Sequence, residues 1–214
     1  MSLQLLDHNR ISVNTYNCCA ELYEKRFMDV TSYTGFLDKF CSYLPLNAKI
    51  FDLGCGPGNN SKYLCEIQGY CNIHGIDLSE EMIKRAKVNV PSGFFHVADI
   101  RKISFNSSSF EGVLASFCIP YLEYKETADL IKDISMILKP NGHLYLSCME
   151  GSKSGFECTS FSGEMPVYIY YYSKEFLTVH LEDNGFRILD VLQQNYPETD
   201  GTFSNDLIII AQKM

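Results

Sequence analysis

Residues Ile50 to Gly58 constrain the fold of this chain more than any other stretch. They read Ile50-Phe51-Asp52-Leu53-Gly54-Cys55-Gly56-Pro57-Gly58: a short apolar run holding one acid, then three glycines at alternate positions. An apolar run of this length, bounded by turn residues, suits a strand covered on both faces. The glycines permit positive φ, and without a Cβ they let another group lie against the backbone. Asn59-Asn60-Ser61-Lys62-Tyr63-Leu64-Cys65 follows and can open a helix with an Asn or Ser as N-cap. The unit is therefore strand, glycine loop, helix.

Two later strands repeat part of this design. Ile73-His74-Gly75-Ile76-Asp77 ends in an acid at the distance expected for a ribose-diol partner, and Phe94-Phe95-His96-Val97-Ala98-Asp99 ends in another. A dinucleotide loop spaces its glycines G-x-G-x-x-G. Here the third glycine comes one residue early, and Asn59 stands where that pattern needs Gly. With an acid two residues before the first glycine, the constellation resembles the class I S-adenosylmethionine-dependent methyltransferases, in their small-molecule branch.

That resemblance implies a Rossmann-like α/β fold with a doubly wound, seven-stranded, mostly parallel sheet. Its last strand would insert between the fifth and sixth, making a C-terminal antiparallel hairpin. S-adenosyl-L-methionine is the implied cofactor. By position, Asp52, Gly54, Gly56 and Gly58 would wrap its methionine portion. Asp77 would take both ribose hydroxyls, with Leu78 and Met82 near the adenine and Asp99 and Ile100 at its amino edge. Ala115 and Phe117, at the end of the fourth strand, would lie under the methionine amine and the methyl group. Relatives also carry an N-terminal helical lid, and Tyr16-Asn17-x-x-Ala20-Glu21-x-Tyr23 resembles its opening. Tyr16 and Tyr23 are thus candidate pocket residues, although packing the helix onto the sheet would explain them equally well.

The chain in order supports this frame. Amphipathic spacing predicts helices over Val13–Phe27 and Thr31–Leu44. Strands follow at Lys49–Leu53, Asn72–Asp77, Phe94–Ala98, Phe110–Phe117 and His143–Met149. Helices are expected at Asn60–Gln68, Glu80–Asn89 (N-cap Ser79) and Tyr124–Leu138, with a loop at 104–109 and a turn at Lys139–Gly142. Strand–helix alternation demands a parallel sheet. Beyond Glu150 come a Gly/Ser-rich stretch, an aromatic run Pro166–Tyr172, a helix Lys174–Asn184 capped by Ser173, and strands Phe186–Asn195 and Asp206–Gln212. The connection 197–204 is too short for a helical crossover, so these two should pair antiparallel. One domain is expected over 1–214, divided into a lid (1–47), a cofactor-binding core (48–149), a substrate-side insertion (150–172) and a C-terminal helix and hairpin (173–214).

Composition narrows the function classes. Net charge is −8, with no cluster of Lys and Arg, which argues against nucleic acid or an anionic membrane as partner. Nine cysteines without a C-x-x-C pair suggest neither a metal site nor a disulfide framework, but small buried side chains in a reducing compartment. The first ten residues lack the apolar run of a signal peptide, and no segment reaches the ~18 apolar residues of a membrane span. The expectation is a cytoplasmic protein, monomeric or weakly homodimeric, acting on a small-molecule methyl acceptor.

No general base announces itself. The candidates are Tyr121, Glu150, Tyr170 and Tyr172; Tyr168, Tyr170 and Tyr172 would share one face if that run is a strand. His96 and His143 sit in expected strands and read as core residues. Cys118-Ile119-Pro120-Tyr121 stands where many relatives place histidines, so histidine-assisted catalysis is not indicated. Pro120-Tyr121 keeps only half of the Asn-Pro-Pro-Tyr signature of amino-group methylases, which disfavours that reading. Two other functions stay open: a cofactor-binding protein without catalysis, acting as sensor or partner subunit, and a nicotinamide-dependent oxidoreductase, disfavoured by the missing glycine.

Overall fold

The computed structural model describes residues 8–103, 105–197, 201 and 203–214. Residues 1–7 of the expected lid, Ser104 of the expected loop, and 198–200 and 202 of the expected connection lie outside the described residues.

Five strands run parallel: β1 (Lys49–Leu53), β2 (Asn72–Asp77), β3 (Phe94–Val97), β4 (Phe110–Ser116) and β5 (Leu138–Met149). The hairpin of β8 (Phe186–Pro197) and β9 (Phe203–Lys213) completes a seven-stranded sheet of order β3-β2-β1-β4-β5-β9-β8, in which β9 pairs antiparallel with both neighbours. The Rossmann-like sheet is thus the expected one. Its order reverses between β1 and β4, and such a switch point opens a crevice at the carboxyl ends of parallel strands.

The strands are buried on both faces because helices cover both. Residues alternating along one face, such as Phe51, Val113, Leu144 and Ile209, join Leu130, Ile131 and Ile134 of α6 (Tyr124–Ile137) and Leu177 and Leu181 of α7 (Lys174–Asp183). The opposite set, Ile50, Leu114, Tyr145 and Ile208, joins Leu37 and Phe40 of α3 (Thr34–Cys41) and Leu64 of α4 (Asn59–Glu66). A smaller cluster places Ile83 and Ala86 of α5 (Glu80–Asn89), with Val90 just beyond it, against Phe95. Side-chain caps fix two helix starts: Ser79 accepts from Met82 N–H, and Ser173 from Phe176 N–H.

Four sequence readings need correction. The single helix expected over 13–27 is two, α1 (His8–Cys18) and α2 (Ala20–Phe27), broken at Cys19. Helix α1 starts early because Ser12 and Thr15, polar in the sequence, are buried by hydrogen bonds to the insertion: Tyr168 N–H donates to Ser12 Oγ at 3.0 Å, and Thr15 Oγ1 to Pro166 O at 2.7 Å. The expected turn at 139–142 is a bulge inside β5, where the register jumps from Phe110↔Leu138 to Gly112↔His143. The Gly/Ser-rich stretch holds a strand, β6 (Ser154–Glu157), paired antiparallel with β7 (Val167–Tyr170). His96 is exposed on edge strand β3, whereas His143 is buried and stacks on Tyr43.

Candidate functional site

The site begins where β1 stops. Gly54, Gly56 and Gly58 all take left-handed φ, at 63°, 54° and 84°. Such angles are costly for any side chain and free for glycine. Gly58 is the N-cap of α4, and a Cβ there would meet Ala86 of α5 and its C-cap Val90 at 3.3 Å. Its role is therefore close helix packing, and it does not line the crevice. Gly54 and Gly56 do line it.

The acid at the end of β2 is held by the same loop. Asp77 accepts from Gly56 N–H at 3.0 Å and from Ser79 N–H at 2.8 Å. Burial raises its pKa, against the pull of those backbone donors. Asp99 is tied to its own Arg101, whose Nη2 and Nε donate at 2.7 and 3.1 Å to one carboxylate oxygen. Burial would raise the Asp99 pKa, but the Arg101 side chain and backbone N–H outweigh it and hold the group below its usual value.

Asp52 points inward instead. It is 1% exposed, accepts from Ser61 Oγ at 2.6 Å, and is absent from the crevice lining. Burial pushes its pKa up to about 7. A carboxyl whose folded pKa is raised costs stability as pH climbs from its unfolded value near 4 to about 7, and the cost stays constant above that. Asp52→Asn keeps an acceptor for Ser61 and removes the charge. It should stabilise the protein on the order of 2 kcal/mol at pH 8, the gain fading towards pH 4. Denaturant unfolding across pH checks this, and a gain that is constant with pH would refute it.

Leu78, Met82, Asp99, Ile100 and Phe117 complete the crevice walls, with Tyr16 and Tyr23 above them. Ala115 lies instead in the apolar core. Phe117 is a non-glycine residue at φ 51°, held by its N–H to Ser147 O and Oγ, both at 3.1 Å. Backbone strain of this kind concentrates where a site must present a side chain. Helix α2 is latched to α5 through Glu24, which bonds Arg85 and Asn89. Asn17 of α1 accepts from Ser79 Oγ at 2.7 Å.

A larger chamber of about 730 Å³ adjoins the crevice. Tyr16, Tyr23, Ser116, Phe117 and Tyr121 line both spaces. The hydroxyls of Tyr16 and Tyr121 are hydrogen-bonded to each other at this boundary. Burial pushes the Tyr121 pKa up to about 12 and that of Tyr16 well above its ordinary value. At neutral pH both are phenols, able to donate and orient but not to abstract a proton.

The other proposed bases divide. Glu150 lines the chamber. Tyr170 faces α1, where His8 Nδ1 lies 3.4 Å from its hydroxyl. Tyr172 is fully buried, bonded to Thr127 and Leu122 O. On β7 it is Ile169, with Tyr171 just beyond, that meets the chamber. Tyr33, Tyr196, Phe161, Asn205 and Asp206 also line it and were not foreseen.

Sheet order and crevice together define a Rossmann-like α/β domain with an open site at its switch point. Residues 50–142 match a family described as a methyltransferase domain. A carboxy-S-adenosyl-L-methionine synthase from Campylobacter concisus is 32% identical over 120 residues, 54% of this chain and 50% of that protein. The chain spans about half the length of the curated relatives it matches. Among solved structures, an S-adenosylmethionine-dependent methyltransferase from Methanosarcina mazei superposes with a TM-score of 0.71 at 25% identity, covering 81% of this chain and 95% of that one. Magnesium protoporphyrin IX methyltransferase from Synechocystis, solved with S-adenosylhomocysteine, shares the fold with a TM-score of 0.74 at 18% identity, covering 97% of this chain and all of that one. Residues 50–142 thus resemble a methyltransferase domain, and the chain shares the Rossmann-like fold of S-adenosylmethionine-dependent methyltransferases.

Proposed function

We propose that the protein transfers a methyl group from S-adenosylmethionine to a small-molecule acceptor. The observation that carries this reading is the crevice at the switch point, where two left-handed glycines leave the backbone bare beside an aspartate braced by the same loop. These residues fit the cofactor's chemistry. The Asp77 carboxylate suits a pair of ribose hydroxyls, Leu78 and Met82 offer apolar flanks to a purine, and Asp99 and Ile100 close its edge. Gly54 and Gly56 admit the methionine portion. Tyr16 and Tyr23 would roof it, with residues 8–47 acting as a lid, while 150–172 would wall the chamber where an acceptor stands.

Held by these residues, the cofactor would supply a sulfonium-activated methyl group, with its thioether as the leaving group. What remains for the chain is to exclude water and hold the two reactants in line, worth roughly 7–11 kcal/mol in favourable cases. Calorimetric titration with S-adenosylhomocysteine tests the reading. Micromolar binding is expected, and no detectable heat from well-folded protein would overturn it.

A further inference from the structure

Helix α1 turns one face to the cofactor crevice. Asn9, Ser12, Val13 and Tyr16, at three- and four-residue steps, all line it. Ser12 Oγ is engaged, accepting from Tyr168 N–H and donating to His8 O at 3.1 Å, and the Tyr16 hydroxyl is bonded to Tyr121. Asn9 is only half engaged. Its Nδ2 donates to Tyr121 O at 3.2 Å, and because a carbonyl can only accept, this contact settles which way the amide faces. Its Oδ1 is shut away from solvent with no hydrogen-bond partner among the described residues. A buried acceptor without a donor is costly, and in folded proteins most such atoms have one.

The position of Asn9 indicates which donor fits. Tyr121 leads into α6, and Glu126 in the first turn of α6 bonds Arg101, the residue that holds Asp99. Asn9 and Asp99 are thereby tied to the same entry into α6, at the Ile100 and Leu122 wall of the crevice. A bound S-adenosylmethionine would place its ribose hydroxyls at Asp77 and its methionine portion at Gly54 and Gly56. The donor left for the Ile100 end is the 6-amino group of adenine. Asp99, the expected acceptor for that group, has no capacity left. Its Oδ1 accepts from Arg101 N–H and Nε, both at 2.9 Å, and its Oδ2 from Nε and Nη2 at 3.1 and 2.7 Å. These contacts fill the roughly four lone-pair sites of a carboxylate.

We infer that Asn9 reads the cofactor's base: its Oδ1 accepts a hydrogen bond from the adenine 6-amino group, which Arg101 leaves Asp99 unable to hold. This rests on the methyltransferase reading and names a specificity-determining residue of that same site.

Wild type and Asn9→Leu are each titrated with S-adenosylhomocysteine and with its 6-deamino analogue, in which purine replaces adenine. Wild type should bind the amino ligand about tenfold tighter, the size of one well-made hydrogen bond. Loss of the bond to Tyr121 O weakens both ligands alike, so the ratio of the two affinities is the readout. In Asn9→Leu that ratio should fall to about twofold or less. Should the leucine variant fail to fold, Asn9→Ala, which suits a helix better, replaces it with the same collapse expected. A ratio that survives the substitution would leave Asn9 as a clamp between α1 and Tyr121 and overturn the inference. So would a wild type that binds both ligands equally. Failure of S-adenosylhomocysteine to bind wild type would instead remove the reading beneath.

Discussion

Gly54→Ala is expected to destabilise the protein by about 2–5 kcal/mol. Two costs add. The residue sits at φ 63°, and a side chain in that left-handed region costs roughly 1–2 kcal/mol. An alanine Cβ there would stand 2.6 Å from Cys118 Cβ. Cys118 Cβ has no rotamer in which to retreat, so the loop or the 3-10 turn after β4 must shift, and overpacking of this kind costs about 1–3 kcal/mol. For a chain of this size, about 2–4 °C of Tm per kcal/mol makes the fall roughly 5–20 °C in thermal unfolding. Gly35→Ala serves as control. It lies in helix α3 with nothing within 4 Å of the new methyl, and should gain roughly 0.5–1 kcal/mol. Equal Tm for Gly54→Ala and wild type would show that the loop is not held as described.

How much of this was readable beforehand follows from what each residue interacts with. Strands β1 and β2 and helix α5 have the expected ends residue for residue, because apolar runs there stop at Gly, Asp and an N-capping Ser, all local signals. The crevice was legible for the same reason: Gly54, Gly56, Asp77, Leu78 and Met82 come from one contiguous strand–loop–helix–strand–helix stretch. Asp52 was misplaced because an acid on a strand buried on both faces must turn inward or outward, and spacing does not say which. Its inward turn depends on Ser61, nine residues away. The far wall of the chamber, away from Tyr16, Tyr23, Phe117, Tyr121 and Glu150, was hidden. Tyr33 and Asp206 meet across 173 positions of sequence, and no periodicity reports such a contact. Strand β6 escaped because Ser and Gly are poor strand formers, and only pairing with the aromatic β7 holds it. The alternating tyrosines of β7 did share a face, Tyr168 and Tyr170 with ring centroids 4.8 Å apart, but it is the face towards His8 of α1. Alternation fixes which residues share a side and not which side meets a cavity.

Asp77→Ala should weaken S-adenosylhomocysteine binding by about 1.5–3 kcal/mol, a factor of roughly ten to one hundred or more, the size of a charge-assisted hydrogen bond to each lost hydroxyl. The carboxylate also braces the loop through Gly56 N–H and Ser79 N–H, so truncation strips two backbone donors of their partner as well. Affinity alone therefore cannot separate a diol contact from loop support. A double-mutant cycle can. Wild type and Asp77→Ala are each titrated with S-adenosylhomocysteine and with its 2′-deoxy analogue. If Asp77 grips the diol, the penalty of the substitution shrinks by 1 kcal/mol or more (about fivefold in Kd) for the deoxy ligand. If Asp77 only holds the loop, both ligands lose affinity equally, and the ribose assignment falls while the crevice stands. Asp77→Asn adds a directional check. One amide oxygen can still accept from Gly56 or Ser79, but the NH₂ must face the other donor or the ribose, so its loss should lie between wild type and alanine.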